Sequence, residues 1–87
     1  MVSQKVIIRN QAGLHLRPAG ILCKEALKYE SRITFKFHDQ VHNAKSVLSV
    51  LGAGIRRGYE LEFLCEGKDE KEALNAMIIL IENGLGE

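Results

Sequence analysis

The chain has 87 residues, with 12 Lys and Arg against 11 Asp and Glu and a formal net charge of +1. That length predicts one domain over residues 1–87, large enough for its own core and too small for a second. The basic residues are scattered along the chain, which excludes an electrostatic footprint for nucleic acid or an anionic membrane and leaves proteins and small anions as partners.

Val6 and Ile8 share one side of an alternating segment, predicting a first strand over Ser3 to Arg9 and a loop over Asn10 to Leu14. Ala19, Leu22, Cys23 and Ala26 then recur at helical spacing, so a first helix is expected over Leu16 to Lys28. Pro18 fits only the first turn of that helix, because its missing N–H would break a bond anywhere deeper. Ile33, Phe35 and Phe37 alternate with Thr34, Lys36 and His38 in a second strand, and Asp39-Gln40 is the expected two-residue turn into a short strand at Val41 to Asn43. Ser46 reads as the N-cap of a short second helix carrying Val47, Leu48, Val50 and Leu51 and ending at Gly52 or Gly54. Tyr59, Leu61, Phe63 and Cys65 alternate with Glu60, Glu62, Leu64 and Glu66 in a fourth strand. Asp69 with Glu72 three residues on has the form of a capping box, followed by a stripe of Ala73, Leu74, Met77, Leu80 and Ile81 that stops at Gly84.

The order β-α-β-β-α-β-α predicts an α+β fold: an open-faced β-sandwich in which a four-stranded, mostly antiparallel sheet carries three helices on one face. Arg32, Thr34, Lys36, Glu60 and Glu62 fall on the other face and suit water.

This arrangement sets His15 at a strand-to-helix junction. The first N–H groups of a helix lack intrahelical partners, and the macrodipole adds partial positive charge, so an anion on or beside His15 is favoured. Arg17 adds a guanidinium whose donors match phosphate oxygens. An imidazole with an unperturbed pKa of about 6.5 keeps a large neutral fraction near pH 7 and is a competent nucleophile. The competing role for His15 is that of a plain turn or capping residue, a role that Arg17 and Pro18 together make less apt.

Ser46 has capping as its first role, and a phosphate added there would gain from the same helix-start electrostatics. Val47, Leu48, Val50 and Leu51 are more apolar than one buried stripe of a two-turn helix needs. Either Leu48 and Leu51 form part of an exposed patch, with Val47 and Val50 inside, or all four pack within. His38 and His42 are four apart, but a turn at Asp39-Gln40 pairs His38 with Val41 and His42 with Phe37, placing the imidazoles on opposite faces and unable to share a metal. Cys23 and Cys65 are expected as isolated buried thiols. Gly52-Ala53-Gly54 lacks the spacing of a nucleotide loop, and neither cofactor nor metal is implied. The outward sheet face lacks the aromatics that an RNA-binding sheet stacks on bases. With no leader-like or membrane-spanning run, the expected location is the cytoplasm.

Gly13-Leu14-His15-Leu16-Arg17-Pro18-Ala19, Asn43-Ala44-Lys45-Ser46, Gly67-Lys68-Asp69-Glu70 and the final Gly84-Leu85-Gly86-Glu87 together resemble the HPr family over nearly the whole chain. These are the histidine-containing phosphocarriers of the bacterial phosphoenolpyruvate-dependent sugar phosphotransferase system. The resemblance implies that His15 accepts a phosphoryl group from enzyme I, on Nδ1, and passes it to IIA domains of sugar permeases, with Arg17 stabilising the group in transfer. The chain would then be a covalent relay and not an enzyme. The resemblance also implies phosphorylation of Ser46 by an ATP-dependent HPr kinase/phosphorylase and a link to a catabolite-control transcription factor. Val47, Leu48 and Leu51 would dock on partners, with Leu48 and Leu51 exposed, and the expected state is a monomer. Ala12, Gly20 and Gly52-Ala53-Gly54 depart from the family's usual residues and bear on partner choice. The alternative is a divergent relative that acts mainly as a regulatory binding protein through phosphorylated Ser46.

Overall fold

The structure is a computed structural model that describes residues 1–87. Its elements are β1 (Val2–Ile7), α1 (Leu16–Ala26), β2 (Arg32–Phe37), β3 (Gln40–Asn43), α2 (Val47–Gly52), β4 (Glu60–Glu66) and α3 (Glu70–Glu82), followed by a 3-10 turn at Gly84–Gly86. The strands form one sheet in the order β1-β4-β2-β3, and every pairing is antiparallel. Alternation explains why one face is apolar. Val6, Ile33, Phe35, Leu61, Phe63 and Cys65 point into the core and meet Ala19, Leu22 and Ala26 of α1 and Ala73, Met77 and Ile81 of α3. Complete burial of each large core side chain, Phe35 and Phe63 included, contributes about 1.5–3 kcal/mol. On the outer face Arg32, Lys36 and Glu60 are exposed, and Thr34 and Glu62 are half-buried. No helix is long and apolar enough to cross a membrane.

The hairpin differs from the sequence expectation. Its two-residue turn is His38-Asp39, both with positive φ (50° and 62°), and Gln40 is already in β3 opposite Phe37. Two left-handed residues match the twist of the flanking strands, and His and Asp accept that conformation more readily than Gln. The expected pairs His38–Val41 and His42–Phe37 are therefore not formed: Val41 faces Lys36 and His42 faces Phe35. His42 stacks on the Phe35 ring at 5.2 Å between centroids, while His38 stands edge-on to Phe37 in the turn. This register, not the one read from the sequence, sets the two imidazoles in different surroundings.

The capping box of α3 is also absent. The Asp69 side chain makes no bond to its own helix and instead accepts the backbone N–H groups of Glu30 (3.0 Å) and Ser31 (2.9 Å) and the Ser31 hydroxyl. These donors, the hydroxyl first, hold the Asp69 carboxyl below the usual carboxylate range. Glu70 takes the Gly67 N–H at 3.2 Å, which together with the N-terminal ammonium lowers its own pKa. The buried stripe of α3 is Ala73, Met77, Ile78 and Ile81, with Leu74 and Leu80 partly covered. Beyond it Leu85 is fully buried at φ 52°, pinning the last residues back onto the core.

Candidate functional site

The segment before His15 is locked by backbone chemistry. The N–H of Gly13 donates to the Asn10 carbonyl at 3.1 Å, and the buried Asn10 amide returns a bond from Nδ2 to the Gly13 carbonyl at 2.7 Å. Gly13 has φ +63°, and a Cβ there would lie 2.5 Å from the Ile55 carbonyl oxygen and 2.8 Å from the Arg56 Cα. Only glycine lets the two segments approach so closely. Leu14, buried, then donates its N–H to the Ile55 carbonyl at 3.0 Å. The Ala12 N–H reaches the Glu87 carboxylate at 3.3 Å, so the last residue of the chain also braces this loop.

His15 itself is the N-cap of α1. Its backbone is extended (φ −78°, ψ −169°), its carbonyl accepts the Ala19 N–H at 2.8 Å, and its side chain makes no capping bond. The imidazole is exposed at a helix start whose first N–H groups precede the first intrahelical bond. Pro18, buried in the first turn, has no N–H to satisfy. The capping role that competed for His15 in the sequence is thus not the one its side chain performs.

His15 borders an open depression of about 790 Å³ together with Leu16, Leu51, Ile55, Arg56 and Arg57. Arg17, also exposed, stands on the first turn of α1 but does not line that space. In the sequence Arg56 and Arg57 count among scattered basic residues and have no assigned role. The available signal was that they are the one adjacent basic pair in the chain. Their proximity to His15 comes from the contact of Ile55 and Arg56 with Gly13 and Leu14, a non-local pairing that no spacing rule displays.

Ser46 caps α2, its Oγ accepting the Ser49 N–H at 3.2 Å. The approach to it is tied down: the Lys45 ammonium donates to the Tyr29 carbonyl at 2.6 Å, and the Cys23 thiol donates to the Lys45 carbonyl at 3.0 Å. Within α2, Val50 is fully buried and Leu48 is 83% exposed. Val47 is only half-buried, and Leu51 packs partly against the core while bordering the His15 depression. The expected exposure of Leu51 is therefore partial, because its side chain bridges the core and that depression. Gly20 lies on α1, and a Cβ placed there would touch nothing within 4 Å. Cys23 and Cys65 are free and buried, and burial pushes the Cys65 thiol up to about 11. No group of three or more His, Cys, Asp or Glu is gathered as a metal site.

Comparison with known proteins places this geometry in a family. The family described as "PTS HPr component phosphorylation site" matches residues 2–83. A multiphosphoryl transfer protein of Vibrio cholerae is 43% identical over 83 residues, a match that covers 92% of this chain but only 21% of that protein. The phosphocarrier protein HPr of Treponema pallidum is 37% identical over 87 residues, covering 100% of this chain and 99% of that one. The crystal structure of HPr-C-His from Thermoanaerobacter tengcongensis superposes with a TM-score of 0.97 at 36% identity, covering 100% of this chain and 98% of that chain. An exposed, uncapped histidine at a helix start, on this sheet and with these relatives, leads to one conclusion: the chain belongs to the PTS HPr family of phosphocarrier proteins.

Proposed function

We propose that residues 1–87 act as one HPr-like domain, a covalent phosphoryl relay centred on His15. The observation that carries this reading is the exposed His15 imidazole, free of any capping bond, beside open N–H groups of α1. A ring nitrogen, Nδ1, offers its lone pair to the phosphorus of phosphorylated enzyme I. The new N–P bond forms as the donor's bond to phosphorus breaks, and the same exchange in the forward direction delivers the group to a IIA domain. The helix start and the Arg17 guanidinium stabilise negative charge on the oxygens in transit. Phosphoenolpyruvate is the ultimate donor, and the working location is the cytoplasm.

The exposed Leu48, with Leu51 at the rim of the depression, supports docking of these partners by a monomer, and the half-buried Val47 on α2 and Gly20 on α1 are assigned to the same docking role. Ser46 is read as a regulatory site for an ATP-dependent HPr kinase/phosphorylase, in line with its place at the start of α2, and its phosphorylated form as a signal to a catabolite-control transcription factor. Incubation with phosphoenolpyruvate and an enzyme I of proven activity should add one acid-labile phosphoryl group that His15→Ala loses. Failure of the wild-type chain to gain mass would refute the carrier reading. With ATP and the kinase the product should instead be acid-stable and absent from Ser46→Ala.

A further inference from the structure

We propose that Arg56 and Arg57 form a second cationic arm of the phosphoryl site, holding oxygens of the group on His15 that Arg17 leaves unpaired; this rests on the carrier reading above. The depression that borders His15 is lined by these two arginines and by no Asp or Glu. Both side chains are exposed, and the two ion pairs of the molecule, Met1–Glu70 and Lys28–Glu25, involve neither.

Their backbone is held in place. Leu14 donates to Ile55, Gly58 donates to the Ile8 carbonyl at 2.7 Å, and Tyr59 closes the turn by donating to the Arg56 carbonyl at 3.1 Å. Arg56 Cα packs directly under Gly13, two residues from His15, so the guanidinium starts close to the imidazole on a turn that does not need to reorganise. The chemistry asks for such a group. A phosphoryl group carries about −1.5 to −2 charge and three acceptor oxygens near neutral pH, whereas the bidentate fork of one guanidinium engages two oxygens and neutralises a single charge. Arg17 stands on the first turn of α1, and the Glu87 carboxylate at the loop is engaged by the Ala12 N–H.

The test uses the phosphorylated protein by itself, so that docking plays no part. Phosphoramidate transfers its phosphoryl group to histidine with release of ammonia, without enzyme I, and phosphorus NMR then follows the second ionisation of the attached group against pH. Arg56→Gln/Arg57→Gln should lower that ionisation constant about three- to tenfold at low salt, with each single variant falling between. Arg32→Gln, on the sheet face, should leave it at the wild-type value. Identical titrations for the wild-type and the double variant would overturn the proposal, and so would a double variant that titrates normally but accepts phosphate from enzyme I more slowly, since the arginines would then serve docking. Absence of any phosphohistidine in wild-type protein with both phosphoramidate and enzyme I would overturn the carrier reading itself.

Discussion

The starts of α1 and α2 face the same physical problem and meet it differently. Ser46 closes the start of α2 with its own hydroxyl on the Ser49 N–H, whereas His15 occupies the equivalent position on α1 and leaves the start open. A capped start has spent a donor on stability; an open one retains its donors for an anion. Stability at α1 comes from elsewhere, through the Asn10–Gly13 turn and the Leu14–Ile55 bond behind the histidine. The site is rigid from behind and open in front.

That contrast is open to mutation, and the largest effect is expected where the rigid backing is broken. Gly13→Ala forces a Cβ into the Ile55 carbonyl at φ +63° and should cost about 2–4 kcal/mol in urea unfolding, with slower phosphorylation of His15. Ser46→Ala removes a cap that is in use and should cost about 1 kcal/mol by the same measurement. Gly20→Ala should stabilise by up to about 1 kcal/mol, because α1 gains helix propensity and the new methyl meets no neighbour. His15→Ala removes no cap and should change stability by less than about 0.5 kcal/mol while abolishing the acid-labile phosphate. Equal costs for Ser46→Ala and His15→Ala would erase the distinction between the two starts.

A third helix start adds a pH-dependent control. Asp69 has a lowered pKa from the Ser31 hydroxyl and the Glu30 and Ser31 N–H groups, so the folded state binds its proton less readily than the unfolded chain. Its contribution is complete above about pH 4, the unfolded value, and is lost as pH falls through the lower folded value. Thermal unfolding should therefore show a gap between the wild-type and Asp69→Ala that is constant at neutral pH and narrows in acid. A gap that widens in acid would contradict the assignment.

Much of the fold was legible because the dominant signals are local. Alternation in Ile33–Phe37 and Leu61–Cys65, the helical spacing from Ala19 to Ala26, and Pro18 after His15 each act within a few residues. The errors share a different origin. The hairpin register depended on which two residues take left-handed φ, and Asp69 had a choice between its own helix and the distant Ser31. Leu85 returns to the core at positive φ, and Arg56 reaches the site through contact with Gly13. Each is settled by tertiary contact between residues far apart in sequence. His15 and Ser46 could be placed because helix starts have sequence signatures; whether the start is closed by the side chain could not.

The central claim is that the open start of α1 carries the phosphoryl group. It is tested most directly by locating the phosphate, through fragmentation mass spectrometry at neutral pH, on protein incubated with phosphoenolpyruvate and enzyme I. The account predicts a single phosphate on His15. Phosphate on Ser46, His38 or His42 with His15 unmodified would contradict it.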